Sequence, residues 1–271
     1  MILWISSFPK SGNTWLRSLI TSYLDKDKKK SVFEKIKEIE RFPSVSHFEG
    51  ILNFDELKNN QFKICKHWID AQEKINLSKT FKILKTHNFC GEYEGNWFTN
   101  SDNTCGFIYI VRDPRSVAVS YAHHIGISFE KSVEIICNRN QYEDNEKNLI
   151  EIRSSWKVHY LSWKRRDYPK LIIKYEDLLS NTFEIFSKVL NFLNEFKKIE
   201  INKNEIKETI EKCSFDNLSK LEKSKGFIEK KGKENFFRKG LTNEWKTVLK
   251  KDLVNKIENE FFEEMKELKY L

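Results

Sequence analysis

The chain has 271 residues, of which 39% are hydrophobic and 14% aromatic, and it contains only nine glycines and four prolines. This composition excludes general disorder and predicts one compact domain over residues 1–271. The formal net charge of +8 suits an anionic ligand, a nucleic acid or a membrane surface. Because most of the lysines lie among acidic residues and asparagines, as on solvated faces, the charge alone does not identify the partner.

The cysteines and the apolar segments indicate the compartment. The five cysteines are dispersed without a Cys-x-x-Cys pair, which argues against a disulfide framework or a zinc site and fits a reducing cytosol. No run of 18 apolar residues is present, so we expect no membrane span. Residues 1–7 lack the basic region and cleavage site of a signal peptide and are predicted to form a strand. We therefore expect a cytoplasmic protein without a membrane partner.

Short apolar runs alternate with longer amphipathic stretches along the chain. The runs predict strands at 2–6, 81–84, 107–111 and 171–173. The helical spacing of apolar residues predicts helices at 14–24, 114–125, 129–137, 154–166, 176–193 and 249–267. The alternation predicts an α/β fold, a single domain with a central parallel β-sheet flanked by helices. Because ligands of such sheets bind beyond the carboxyl ends of the strands, the residues that follow each strand are the candidate site residues.

The loop after the first strand has the features of an anion-binding loop. It runs through Lys10, Ser11, Gly12, Asn13, Thr14 and Trp15 into the first predicted helix. A helix N-terminus offers free backbone N–H groups and the positive end of its dipole, and a lysine adds a mobile charge. The loop is P-loop-like but is not a Walker A loop, because its lysine precedes the glycine instead of following it. An ordinary capped turn between strand and helix is the alternative.

Two further strand ends carry candidate groups. The second strand leads to Lys85 and His87, and a histidine at this place could act as a general base near neutral pH or be a core histidine with satisfied hydrogen bonds. The third strand leads to Arg112, which can donate two hydrogen bonds to a phosphate, and Ser120 lies on the second turn of the following helix. Taken alone, Arg112 and Asp113 are equally compatible with a structural ion pair.

In this order the segments resemble those of the cytosolic-type sulfotransferases, which use 3′-phosphoadenosine-5′-phosphosulfate (PAPS). The segment 9–15 resembles the family's loop for the 5′-phosphosulfate. The segment 112–120 resembles its 3′-phosphate motif, with Arg112 and Ser120 at the expected separation of eight. The segment 85–87 matches the one that carries the catalytic base.

Further matches lie in the C-terminal half. Tyr175 begins a Tyr-Glu-Asp run after the fourth strand, as in the family, and Ser214 and Phe215 resemble its adenine-side pair. The segment 238–240, which is Arg-Lys-Gly, is similar to the loop that closes over the cofactor. Residues 243–244 are Asn-Glu where the family commonly has Gly-Asp. The family's C-terminal dimer motif has no good match, so a homodimer is left open.

The resemblance implies transfer of a sulfuryl group from PAPS to a hydroxyl or amine of a small-molecule or sugar acceptor, with PAP as the product and no metal. It implies that His87 is the general base, that Lys10 neutralises the leaving oxygen and that Lys85 holds the sulfuryl oxygens. The cofactor-binding residues that it implies are Lys10, Ser11, Gly12, Asn13, Thr14, Trp15, Arg112, Ser120, Tyr175, Ser214, Phe215, Arg238, Lys239 and Gly240.

Aromatic residues leave two questions open. Trp15 and Phe215 could hold an adenine ring between them or could be core aromatics. The segments 31–80, 88–104 and 125–152 are expected to line or cover the acceptor pocket, but a core role is favoured for their aromatics, because covering a sheet needs apolar residues in any case.

Two other functions are compatible with parts of the pattern. A P-loop-type nucleotide kinase or NTPase would need a Gly-Lys-Ser/Thr ending and a metal-binding acid, for which Asp113 is a weak candidate. A non-enzymatic nucleic-acid-binding module would use the positive charge and the aromatics, but no recognised RNA- or DNA-binding pattern is present. The resemblance favours the sulfotransferase, with no nucleic-acid partner.

Overall fold

The computed structural model describes residues 1–27, 29–144, 149–232 and 234–271. Its strands in chain order are β1 (Ile2–Ser7), β2 (Lys82–Thr86), β3 (Glu92–Tyr93), β4 (Asn96–Trp97), β5 (Thr104–Val111), β6 (Tyr142–Asp144), β7 (Ile150–Ile152) and β8 (Lys170–Lys174). Its α-helices are α1 (Asn13–Leu24), α2 (Val32–Lys35), α3 (Val45–Phe48), α4 (Trp68–Asn76), α5 (Pro114–Ile125), α6 (Phe129–Cys137), α7 (Trp156–Lys164), α8 (Tyr175–Ser180), α9 (Thr182–Asn194), α10 (Lys203–Lys212), α11 (Phe215–Lys225), α12 (Trp245–Val248), α13 (Lys251–Glu260) and α14 (Phe262–Glu267). Short 3₁₀ segments occur at Ile36–Glu38, Phe54–Lys58 and Gln61–His67.

The central sheet has the strand order β2-β1-β5-β8, and its three pairings are all parallel. Trp4 of β1 lies opposite Leu84 of β2 and Phe107 of β5. The chain leaves β1 towards one edge of the sheet and leaves β5 towards the other, so its connections diverge between these two strands. A crevice forms at the carboxyl ends of the strands at such a point. The predicted α/β fold with a central parallel sheet is therefore confirmed.

Both faces of the sheet are buried because β1 alternates between two apolar clusters. Ile2 and Trp4 belong to a cluster that includes residues of α5, α6, α7 and α13. Leu3 and Ile5 belong to a second cluster, built with residues of α1 and α9 on the opposite face. Every residue of β1 is buried, as expected for a central strand that helices cover on both sides.

Two predicted helices are each divided in the structure. The predicted helix 176–193 forms α8 and α9, which are separated at Asn181, where φ is −131° and ψ is 50°. The predicted helix 249–267 forms α13 and α14, which are separated at Phe261, where φ is −115° and ψ is 21°. Apolar spacing continues across both bends, so it does not show where the backbone leaves the helical region.

Other helix boundaries also differ from the prediction. The predicted helix 154–166 begins only at Trp156, because the Ser155 side chain caps it by accepting a backbone hydrogen bond. The helices α10 and α11 were not predicted. Each of them buries only two residues, so few apolar side chains mark them in the sequence.

None of the helices in the described ranges is long and apolar enough to cross a membrane. The five cysteines are free thiols.

Candidate active site

A cavity of about 580 Å³ opens at the carboxyl ends of the central strands. Residues of the β1–α1 loop, of β2, of α5, of the start of α8 and of the segment between α11 and α12 line it. Of the predicted site residues, all but Ser11 and Ser214 line this cavity. The fold thus brings together groups that are far apart in the sequence.

The β1–α1 loop turns sharply because two of its residues have positive φ. Lys10 has φ 68° and Gly12 has φ 103°, and α1 begins directly after Gly12. A Cβ atom on Gly12 would lie 2.5 Å from Cδ2 of Tyr175. Both the backbone conformation and the close approach of this ring therefore require glycine.

Asn13 fixes the start of α1 to β1. Its Nδ2 donates to the Ile5 carbonyl (3.2 Å) and to Ser7 Oγ (3.3 Å), and its Oδ1 accepts from Nε of Arg17 (2.9 Å). The buried hydroxyl of Ser11 makes no hydrogen bond within the part of the chain that the structure describes. Asn13 therefore positions the loop, whereas Ser11 retains an unused buried donor.

Two lysines bring positive charge to the cavity. Burial, followed by the charge of Arg112, lowers the pKa of Lys10 to about 7, and burial lowers the pKa of Lys85 to about 8. Nζ of Lys10 lies 3.7 Å from the ring centroid of Phe236, which is a cation–π contact. Both amines therefore change charge close to neutral pH.

A carboxylate from the segment after α11 lies among these cations. Oε2 of Glu229 accepts from Thr14 Oγ1 (2.7 Å), and its Oε1 accepts from Nη2 of Arg17 (2.5 Å). Nζ of Lys85 lies 3.5 Å from Oε1. Burial raises the pKa of Glu229, but the charges of Lys85 and Arg17 outweigh this effect and hold the pKa well below its usual range. Sequence reasoning missed both Arg17 and Glu229.

His87, directly after β2, has a defined tautomer. Its Nδ1 lies 2.7 Å from the Ser7 carbonyl oxygen, and only a protonated Nδ1 can donate to a carbonyl. The lone pair of the neutral ring is therefore on Nε2. Burial, followed by the charges of Lys85 and Arg153, lowers the pKa of His87 well below its usual value. The ring is thus neutral, with Nε2 as its basic nitrogen.

Arg112 follows β5 and connects two sides of the cavity. Its Nη1 donates to the Lys10 carbonyl (3.0 Å) and its Nη2 donates to the Leu241 carbonyl (2.9 Å). The guanidinium carbon lies 4.3 Å from the ring centroid of Tyr175. The buried Nε makes no hydrogen bond with any described residue. Arg112 therefore holds the β1–α1 loop against the C-terminal segment while keeping one donor unused.

Asp113 stabilises the start of α5 instead of pairing with Arg112. Its carboxylate accepts from the backbone N–H of Arg115 (2.9 Å) and from Nη2 of the same residue (2.7 Å). Among the described residues no ion pair joins Arg112 to Asp113, so the structural pair that the sequence left open does not form. Ser120, on the second turn of α5, is partly exposed and lines the cavity.

Aromatic side chains border the cavity near the start of α11. Nε1 of Trp15 donates to the Cys213 carbonyl (2.9 Å). Ser214 caps α11 by accepting a backbone hydrogen bond. A Cβ atom on Gly240, where φ is 65°, would lie 2.7 Å from Cδ2 of Phe215, so this glycine packs directly on the ring. Trp15 and Phe215 are half-buried and line the cavity.

Arg238 and Lys239 converge on one carboxylate. Nη1 of Arg238 (2.8 Å) and Nζ of Lys239 (2.8 Å) both donate to Oε1 of Glu244, and Nη2 of Arg238 contacts Oε2. Hydrogen bonds from Arg238 are the main cause that lowers the pKa of Glu244 to about 2. Glu244, which departs from the Gly-Asp pattern of the resembled family, is therefore paired with Arg238 and Lys239 of the Arg-Lys-Gly segment.

Comparison with known proteins identifies the family. The profile of the sulfotransferase domain matches residues 2–269. The chain belongs to the sulfotransferase family. Cytosolic sulfotransferase 5 of Arabidopsis thaliana is 28% identical over 94% of this chain and 76% of its own length. Luciferin sulfotransferase of Photinus pyralis is 26% identical over 94% of this chain and 69% of its own length.

Solved structures show the same fold. Mouse sulfotransferase SULT7A1, crystallised with PAP, superimposes with a TM-score of 0.64 at 21% identity, over 97% of this chain and 83% of that chain. Retinol dehydratase in complex with retinol and PAP superimposes with a TM-score of 0.64 at 18% identity, over 98% of this chain and 81% of that chain. Membership of the sulfotransferase family favours the sulfotransferase prediction over the nucleotide kinase and the nucleic-acid-binding module.

The part of the sulfotransferase cavity next to His87 is polar. The backbone N–H of His87 donates to Oε1 of buried Glu151 (3.2 Å), and the guanidinium of Arg41 contacts both oxygens of this carboxylate. Nη1 of Arg153 donates to the Tyr121 hydroxyl (3.1 Å). Arg41, Glu151 and Arg153 were not predicted, because they come from loops and a short hairpin strand that have no periodic pattern.

The aromatic residues expected near the acceptor are mostly core residues of the sulfotransferase domain. Phe42 and Trp68 are fully buried in the main apolar cluster. The segments 31–80 and 125–152 contribute residues to the cavity wall, whereas 88–104 contributes none. In the described ranges, no group of three or more His, Cys, Asp or Glu side chains could hold a metal ion.

Proposed function

We propose that this sulfotransferase domain moves a sulfuryl group from PAPS to a hydroxyl or amine of a small-molecule or sugar acceptor. The observation that carries the proposal is the presence of neutral His87 in the same cavity as Lys10 and Lys85. A neutral base beside concentrated positive charge suits removal of a proton from an acceptor during transfer between anionic groups. Two relatives of the chain are named sulfotransferases, and two solved structures of the same fold contain PAP.

The donors of the cavity fit a nucleotide with anionic groups. Ser11 Oγ and Arg112 Nε are buried without a partner among the described residues, and such donors are usually satisfied by a ligand or by water. We assign the β1–α1 loop with Lys10 and Thr14 to the phosphosulfate. We assign Arg112 and Ser120 to the 3′-phosphate, because a guanidinium and a hydroxyl together can donate to several phosphate oxygens.

The remaining predicted residues suit the adenosine and its 3′-phosphate. Gly240 packs on Phe215, and Arg238 and the backbone of 239–240 would donate to the 3′-phosphate. Trp15 and Phe215 would enclose the adenine, since an aromatic face stacks on any flat base. Tyr175 would contact the nucleotide next to the loop on which its ring packs.

PAPS supplies an activated sulfuryl group with a phosphate as the leaving group. During transfer, the acceptor oxygen or nitrogen bonds to sulfur while the bond from sulfur to the phosphate oxygen breaks. Nε2 of His87 takes up the acceptor's proton. Lys10 donates to the leaving oxygen and Lys85 holds the sulfuryl oxygens, so positive charge meets the negative charge that develops.

We further propose that the chain acts as one domain over residues 1–271 in the cytosol. The free cysteines and the names of the cytosolic relatives support this location. A homodimer stays a prediction.

Formation of PAP from PAPS tests the proposed reaction. The purified protein is mixed with PAPS and, in turn, with a phenol, an alcohol, an arylamine and a monosaccharide. We expect PAP to accumulate with at least one of these classes, and equally after treatment with EDTA, because Lys10, Lys85 and Arg112 supply the positive charge. Absence of PAP with all acceptor classes would contradict the proposal.

A further inference from the structure

Buried Arg17 forms an ion pair with Glu229, which lines the cavity. The side chain of Arg17 is 4% exposed and that of Glu229 is 26% exposed. The pair joins two distant parts of the chain, since Arg17 lies in α1 and Glu229 lies after α11. A buried guanidinium needs an anionic partner, and Glu229 is that partner in this structure.

Glu229 uses the donors that an oxyanion would need. Its two oxygens accept separately from Thr14 Oγ1 (2.7 Å) and from Nη2 of Arg17 (2.5 Å). The ammonium of Lys85 lies 3.5 Å from one of them. Phosphate and sulfuryl groups also present pairs of oxygens to such donors. A second anion at these donors would repel the carboxylate, so the two cannot occupy the place together.

Arg17 also belongs to the anion-binding loop by its geometry. Its Nε donates to Oδ1 of Asn13 (2.9 Å), and its Nη2 lies 3.5 Å from Thr14 Oγ1. These contacts fix the guanidinium at the first turn of α1, where the positive end of the helix dipole also lies. When Glu229 moves away, Nη2 of Arg17 can donate instead to another oxyanion at the same place.

We propose that Arg17 is a further ligand of the phosphosulfate group, and that Glu229 must leave Arg17 and Thr14 before this group can bind. The inference rests on the proposed function for the identity of the nucleotide. The displacement of one anion by another does not depend on the adenosine. Glu229 thereby lowers the affinity of the site for every ligand with an oxyanion at this position.

Substitution of Glu229 tests the displacement. Glu229→Gln should bind PAP and inorganic pyrophosphate about tenfold more tightly than the wild type in calorimetric titrations, which corresponds to about 1.4 kcal/mol. Glu184→Gln removes the same charge from an exposed pair with Lys188 and should leave both affinities unchanged. Equal affinities for Glu229→Gln and the wild type would overturn the inference. Glu229→Ala should behave in the same way and replaces Glu229→Gln if thermal unfolding shows that the latter is not folded.

A second substitution separates the two possible roles of Arg17. If Arg17 binds the phosphosulfate, Arg17→Met should weaken pyrophosphate binding about tenfold in the Glu229→Gln background. If Arg17 only holds Glu229, the same change in that background should have no effect, and the assignment of Arg17 as a ligand would be wrong. Arg17→Lys should restore part of the affinity, because it keeps the charge but loses the two-point geometry.

The two ligands distinguish failure of this inference from failure of the proposed function. PAP binding by the wild type with no gain in Glu229→Gln would overturn the role of Glu229 and leave the sulfotransferase proposal intact. Absence of PAP binding in every variant, with tighter pyrophosphate binding in Glu229→Gln, would overturn the nucleotide assignment and support the displacement.

Discussion

At the scale of single residues, the surroundings of His87 determine its chemistry. The Ser7 carbonyl accepts from Nδ1, and burial and nearby cations keep the ring neutral. A neutral imidazole with a free lone pair on Nε2 can accept a proton at neutral pH without first losing one. The nearby cations therefore keep the proposed base unprotonated, and the same lowering of its pKa makes Nε2 a weaker proton acceptor than a free imidazole.

Replacement of His87 tests this role. We predict that His87→Ala lowers turnover by at least about 10²-fold, because no base then removes the proton of the substrate that receives the sulfuryl group. The Kd for PAP should change little, since the ring is not assigned to the nucleotide. His67→Ala, at a histidine paired with Asp70 outside the cavity, should leave both quantities unchanged. Steady-state kinetics and calorimetry give the two values, and near-normal turnover of His87→Ala would contradict the assignment.

The lysines predict a pH dependence of nucleotide affinity. The pKa of Lys10 is lowered to about 7 and that of Lys85 to about 8. A bound anion favours the charged amines and therefore raises both pKa values. Above pH 7, PAP binding must then take up protons, so the affinity should fall as the pH rises, by up to about tenfold per unit for each lysine.

Calorimetry in two buffers of different ionisation enthalpy measures this proton uptake. Lys10→Arg should flatten part of the dependence, because a guanidinium keeps its charge throughout this range. An affinity for PAP that is constant from pH 7 to about pH 9 would show that neither amine titrates on binding.

At the scale of elements, the β1–α1 loop depends on one glycine. Gly12 has φ 103°, and a Cβ atom added there would lie 2.5 Å from the Tyr175 ring, whereas Gly50 has φ 76° and a Cβ atom added there would meet no atom within 4 Å. Both positions carry the conformational cost of positive φ, about 1–2 kcal/mol for an L-residue. Only Gly12 adds a steric collision.

We therefore predict that Gly12→Ala lowers Tm by more than Gly50→Ala and also weakens PAP binding, because the loop or the Tyr175 ring must shift. Thermal unfolding of the two variants measures the difference. Equal losses of Tm would show that the contact with Tyr175 is unimportant. Loss of PAP binding in Gly50→Ala would indicate a general rather than a local effect.

The four strands of the central sheet could be predicted from the sequence more closely than the helices. Every residue of β1 is buried, and its apolar run is followed by two serines, so the strand is visible without tertiary information. The bends at Asn181 and Phe261 are set by backbone dihedral angles, to which apolar spacing is insensitive. The helices α10 and α11 bury only two residues each, so too few apolar side chains mark them in the sequence.

At the scale of the whole molecule, the parallel sheet explains which site residues were foreseeable. Lys10, His87, Arg112 and Tyr175 each follow a central strand, and strand order alone brings their positions to one edge. Arg17 lies one turn after Asn13 and Thr14, so helical spacing could have indicated it.

Glu229 could not be foreseen in this way. It reaches Thr14 across 215 positions in the sequence, and it lies in a lysine-rich segment with no periodic pattern. The same holds for Glu151 and Arg41, whose pairing depends on how a loop and a hairpin meet beside β2. Such contacts between irregular segments are determined by tertiary packing, which local sequence patterns do not encode.

The affinity of the wild-type protein for PAP, compared with 5′-AMP and ATP–magnesium, tests the central claim most directly. We predict that calorimetry gives a micromolar Kd for PAP and a Kd at least about tenfold weaker for 5′-AMP, which is about 1.4 kcal/mol. Arg112→Ala should lose this preference for the 3′-phosphate. Absence of PAP binding by folded protein, or tighter binding of ATP–magnesium than of PAP, would contradict the assignment of the cavity.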